Sequence, residues 1–176
     1  MDCRLDSLCR QMNGRLESQC KDTKNKSMAE KKNAISYESI MKDLKARKFA
    51  PVYVLMGDEP FYIDKICDYI AENVLQPEER DFNQTVLFGA DTTAVQVVDQ
   101  CKGYPMMAEF RVVIVKEAQN LKSLDALEKY LEKPVKSTVL VICNKNGSID
   151  RRKKFIPRAE QVGVVFESKK LYDRQL

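Results

Sequence analysis

At 176 residues the chain is long enough for one domain with a tail, and its 44% apolar content supports a real core. Thirty basic against 26 acidic side chains leave a net charge of +4, a field too weak to demand a nucleic-acid or membrane partner. There is no histidine, which removes Ser-His-Asp and Cys-His catalysis, histidine metal ligation and histidine acid/base chemistry together.

Six cysteines, at positions 3, 9, 20, 67, 101 and 143, include no C-x-x-C pair, so neither a zinc site nor a redox motif is expected. The N-terminus carries scattered charges instead of an apolar signal region. No stretch approaches the roughly 18 apolar residues of a membrane span, and a cytoplasmic protein with reduced thiols is expected.

Residues 1–35 are polar, weakly periodic and lysine-rich towards their end, and they read as a disordered or non-native extension. From Ser36, a candidate N-cap, Tyr37, Ile40, Met41 and Leu44 fall at helical spacing. PVYVLMG, 51–57, is short and rich in β-formers, as suits a strand buried on both faces. A helix capped by Asp58 follows, with Pro60 in its first turn, an apolar face of Ile63, Ile66, Tyr69, Ile70 and Val74, and Pro77 as its stop. The alternation continues with a strand FNQTVLFG, 82–89, and a helix opened by Asp91 that carries Val95, Val98 and Cys101. Next come the strand FRVVIV, 110–115, and a helix with Leu124, Leu127 and Leu131 on one face. The strand TVLVIC, 138–143, a basic helix from about Asp150 and the strand GVVFES, 163–168, complete the run. Parallel strands need helical crossovers, so five strands alternating with helices predict a three-layer α/β domain over 36–170 with a mostly parallel sheet. Residues 171–176 read as the start of a linker.

In such a domain, chemistry belongs at the carboxyl ends of the strands. The first strand-to-helix turn reads GDEPFYIDK. A phosphate loop needs GxxxxGK[ST], in which glycines expose backbone N–H groups, lysine supplies charge and a hydroxyl holds magnesium. Only Gly57 remains of that pattern. Asp58 and Glu59 put negative charge where a triphosphate would sit, Pro60 removes a donor, and Lys65 is followed by Ile66. A plain acidic helix start accounts for the same residues. After FRVVIV, Lys116 stands where a P-loop ATPase carries its magnesium aspartate. Glu117 alone could be catalytic in principle, but without a phosphate loop it reads as an exposed residue at a strand end. No cofactor or metal is expected.

These residues carry a resemblance. PVYVLMGDEPFYIDKI, GYPMMAEFRVVIVKEAQNL, VLVICNKNGSIDRRKK and VVFESKKLYD, in this order and spacing, are similar to the delta subunit of the bacterial DNA polymerase III clamp loader over about 36–176. The resemblance implies a P-loop NTPase (AAA+)-like fold with a degenerate nucleotide site at Gly57, Asp58, Glu59, Lys65, Lys116 and Glu117. It also implies a mechanical role: binding and opening the ring-shaped sliding clamp (the beta subunit) while sister ATPase subunits hydrolyse ATP beside a delta-prime subunit. No catalysis is expected of the chain itself; the holoenzyme it would serve is a DNA-directed DNA polymerase, a nucleotidyltransferase. Family members are considerably longer and continue into a lid and a collar, so the resemblance implies a fragment, and Met28 resembles the family's start.

The family's clamp-binding wedge maps onto Met106 and Met107, with Tyr104 as a supporting contact. Two thioethers on a turn after a helix suit an irregular protein groove, although pattern alone equally permits methionines folded into the core. The basic cluster Arg151, Arg152, Lys153 and Lys154 is either a solvated face or a contact to DNA phosphate or a neighbouring subunit. Asn144, where an ATPase keeps its γ-phosphate sensor, reads as a turn former, and Cys67, Cys101 and Cys143 as small core residues. Two other functions compete: a nucleotide-binding enzyme with an atypical phosphate site, and a nucleic-acid-binding domain built on the basic cluster.

Overall fold

The computed structural model describes residues 35–150, 152 and 154–169. All but Ile35 of the expected N-terminal extension, the linker at 171–176, and Arg151 and Lys153 of the basic cluster lie outside the described residues.

Five strands, β1 (Val52–Gly57), β2 (Gln84–Phe88), β3 (Arg111–Lys116), β4 (Thr138–Lys145) and β5 (Val164–Ser168), form one parallel sheet in the order β2-β3-β4-β1-β5. Every crossover between them contains helix, as parallel pairing requires. The helices are α1 (Tyr37–Lys45), α2 (Pro60–Asn73), α3 (Pro77–Asn83), α4 (Ala94–Lys102), α5 (Asp125–Glu132) and α6 (Phe155–Val162).

The strand period of two divides the core. Val52, Val54 and Met56 of β1 point to one face with Val113, Val115, Leu140 and Ile142, and pack under α4, α5 and α6. Tyr53 and Leu55 point to the other face with Val112, Ile114, Val139 and Val141, under α1 and α2. Because both sheet faces are covered, the inner strands are apolar through their middles instead of alternating. The three-layer parallel α/β domain expected from the sequence is therefore the fold.

Several boundaries differ from the sequence reading. Phe82 and Asn83 do not start β2; they end the short α3, which a capping box between Gln76 and Glu79 opens with Pro77 at its first position. The proline taken as a stop is thus a start. The N-cap of α2 is Glu59, not Asp58, and its side chain makes no cap bond. For α4 the cap is Thr93, not Asp91, because Thr93 and Gln96 bond each other's backbone N–H. That shift turns Val95 outward and puts Val97 in the core. The described members of the basic cluster, Arg152 and Lys154, do not sit on a helix: α6 begins after them, at Phe155. Among the described residues, no helix is long and apolar enough to cross a membrane.

Candidate functional site

Two loops hold the residues central to the sequence reading, the remnant of the phosphate turn and the methionine pair. The first is the turn after β1. Gly57 has a φ of +133°, and a Cβ there would lie 2.0 Å from the carbonyl oxygen of Ser168. Its N–H donates to the Gly147 carbonyl at 3.0 Å, and the N–H of Asp58 donates to the Ser168 carbonyl at 3.0 Å. Gly147 returns a longer bond of 3.5 Å to the Gly57 carbonyl, and Asn144 Nδ2 donates to the Gly147 carbonyl at 2.9 Å. The amides that a phosphate loop would turn towards an anion here serve a clasp between the ends of β1, β4 and β5.

Three of the charged residues around this turn, Asp64, Lys65 and Lys145, are also occupied. Asp64 on α2 pairs with Lys145 of β4 at 2.7 Å, and the hydrogen bond that Lys145 donates to the Asp64 carboxylate raises the Lys145 pKa. Lys65 Nζ lies 5.5 Å from the Phe61 ring centroid, over its face. Asp58 and Lys65 are exposed and Glu59 is half-buried. Lys116 ends β3, where its carbonyl accepts from Gly89 N–H at 2.8 Å, and Glu117 is an exposed left-handed residue opening a 3-10 turn at Ala118–Asn120. Gly57 and Lys145 face each other across β1 and β4, while β4 separates Gly57 from the strand of Lys116. Beyond the 3-10 turn, a cleft of about 750 Å³ runs between the start of α5 and the β4–α6 loop. Its charges are mixed, with Lys122 and Lys154 beside Asp125 and Asp150. No group of three or more His, Cys, Asp or Glu side chains among the described residues could hold a metal ion.

The second loop follows α4. The Cys101 carbonyl, near the end of that helix, accepts a buried hydrogen bond from Thr138 Oγ1 at 2.8 Å. Gly103 packs against the Arg111 guanidinium, which donates to Gln100 Oε1 at 2.7 Å. From there the chain turns outward. Tyr104 is 85% and Met106 60% exposed, and Met107 is fully exposed with a φ of +54°. Beneath them sits Asn83, completely buried, which sequence reasoning missed. Its Oδ1 accepts from Met106 N–H at 2.6 Å, and its Nδ2 donates to the Met106 carbonyl at 2.8 Å and to the Glu79 carbonyl at 3.1 Å. No local pattern marks it, because Asn83 stands between the charged PEERDF and the polar Gln84 and Thr85.

Arg152 and Lys154 are exposed, and the Arg152 N–H donates to Asp150 Oδ1 at 2.9 Å. The three thiols Cys67, Cys101 and Cys143 are free and buried. Burial pushes Cys101 and its neighbour Tyr130 up to about 12.

The strand order, with a glycine turn leaving β1 between β4 and β5, defines the class: a P-loop NTPase (AAA+)-like α/β domain. The chain belongs to the DNA polymerase III delta subunit family, whose model matches residues 53–169. Over 142 residues it is 29% identical to the DNA polymerase III subunit delta of Bacillus subtilis, covering 75% of this chain and 41% of that protein. It superimposes on the DNA clamp loader delta protein of Bacillus subtilis with a TM-score of 0.68 at 26% identity, covering 77% of this chain and 43% of that one. The chain thus spans less than half the length of either relative.

Proposed function

We propose that this domain is the clamp-engaging part of a clamp-loader delta subunit. It binds the sliding clamp (beta subunit) through Met106 and Met107, with Tyr104 beside them, and helps to open it. ATP is hydrolysed elsewhere, by the loader's ATPase subunits, next to a delta-prime subunit, and DNA is met through the assembled complex. The observation that carries this reading is the exposed apolar turn. A fully exposed methionine in a left-handed conformation does nothing for the core, and a partner groove that buried it would gain about 1.5–3 kcal/mol.

The turn after β1 supports the passive role. An anion there would have to displace the carbonyls of Gly147 and Ser168 and approach Asp58 and Glu59, with no P-loop lysine and hydroxyl pair to compensate.

Surface plasmon resonance of this chain on the immobilised clamp of the same organism tests the proposal. The double variant Met106→Ala/Met107→Ala is expected to bind at least tenfold more weakly, a loss of about 1.4 kcal/mol or more. Equal binding by the variant, or none by the wild type, would sink it.

A further inference from the structure

Among the described residues, four polar side chains are buried: Asn83, Thr138, Asn144 and Ser168. All four stand at the two loops described above. Asn144 donates to Gly147 within the β1 clasp and Ser168 receives Asp58 N–H through its backbone, whereas Thr138 and Asn83 secure the segment that ends in the exposed methionines.

We infer that Asn83 is a positioning residue for the clamp-engaging turn, holding Met106 by both of its peptide groups so that Met107 is presented in one conformation. The inference rests on the clamp-binding reading. A side-chain amide that accepts from an N–H and donates to the C=O of the same residue reproduces one rung of a β-ladder, and it does so for a segment with no strand beside it. An amide does this with a donor and an acceptor on separate atoms, whereas a carboxylate lacks the donor and an aliphatic side chain lacks both groups. The amide is itself fixed, since Nδ2 also bonds the Glu79 carbonyl and Asn83 ends a helix whose capping box locks its start. Met107 needs such support because a β-carbon disfavours positive φ, and an unsupported turn would leave that conformation for many others. A turn already ordered before binding loses less entropy when the partner closes on it.

The test combines hydrogen–deuterium exchange with clamp binding for the wild type, Asn83→Leu, Asn83→Asp, Met106→Ala/Met107→Ala, and the triple variant. Asn83→Leu keeps the branched shape and loses all three bonds, two to Met106 and one to Glu79. It is expected to speed exchange of the Met106 amide at least tenfold and to weaken clamp binding at least tenfold. Asn83→Asp, which keeps only the acceptor, should lie between it and the wild type. If Asn83 acts through the turn, adding Asn83→Leu to the double methionine variant weakens binding no further, whereas a merely structural role would give an additive loss. Unchanged Met106 exchange in Asn83→Leu overturns the inference whatever the clamp does. Wild-type clamp binding by Asn83→Leu overturns it too, and leaves the clamp reading standing provided the methionine variant is weakened. Wild-type binding by the methionine variant removes the clamp reading and this inference with it. Should Asn83→Leu fail to fold by circular dichroism, Asn83→Asp decides: binding threefold or more weaker supports the positioning role, and binding equal to the wild type overturns it.

Discussion

Gly57 meets two separate demands. Its φ of +133° strains any L-residue, and a β-carbon would meet the Ser168 carbonyl at 2.0 Å, a backbone atom that can give way only if β5 moves. Gly57→Ala is therefore expected to destabilise the fold by more than about 2 kcal/mol in urea denaturation, and a loss below 0.5 kcal/mol would contradict this clasp. The sequence already marks Gly57 as the exit from a strand and as the remnant of a phosphate loop. What occupies the amides of Gly57 and Asp58 was not legible, because Gly147 and Ser168 approach from two other segments and no local pattern reports them. Asn83 was hidden for the same reason, with its partner 23 residues away. Met106 and Met107 illustrate a different gap. Thioethers fit a core or a groove equally well, so pattern alone left both open, and their exposure is decided by the way α4 ends at Gly103.

At the scale of elements, legibility tracked burial. The runs VYVLM, RVVIV and TVLVIC are dense in β-branched residues and both faces of the inner sheet are covered, so those strands declare themselves without alternation. The seven-residue α3 has no apolar face to advertise it; only Asn83 is buried on it, and its proline reads equally as a stop or a start. α4 was found but displaced at its start, since both Asp91 and Thr93 are residues that cap helices. Its far end depends on a tie across the sheet, the Thr138 hydroxyl bonded to the Cys101 carbonyl at 2.8 Å. Thr138→Val keeps the shape and removes the donor, leaving a buried carbonyl unsatisfied. The variant is expected to lose about 1–3 kcal/mol of stability, measured by urea unfolding, against less than 0.5 kcal/mol if water replaces the hydroxyl.

For the molecule as a whole, the fold was the most legible level, because five strands alternating with helices leave few topologies open. One property of the whole could not be read so: its response to alkali. Cys101 lies at the heart of the α4–α5 side of the core, and burial raises its thiol from 9.0 to about 12, with Tyr130 raised from 10.0 to about 12 beside it. Both groups are neutral in the fold. In the unfolded chain they lose their protons at lower pH, so their contribution is fully present below about pH 9 and is lost as pH rises towards 12. Unfolding free energies at pH 7.5 and 10.5 should differ by about 2 kcal/mol from Cys101 alone, with less stability at the higher pH. In Cys101→Ala the difference should shrink by that amount, and an undiminished difference would assign the alkaline loss to other groups.

The exposure of Met107 carries one more consequence. Its sulfur stands fully in solvent, whereas the thiols of Cys67, Cys101 and Cys143 and the thioether of Met56 are all buried. A peroxide reaching the protein would therefore attack this loop ahead of those four, adding oxygen to the thioether and converting an apolar, flexible side chain into a polar sulfoxide. In aged or aerated protein, the turn proposed to meet a partner therefore changes its chemistry before the sulfur groups of the core do.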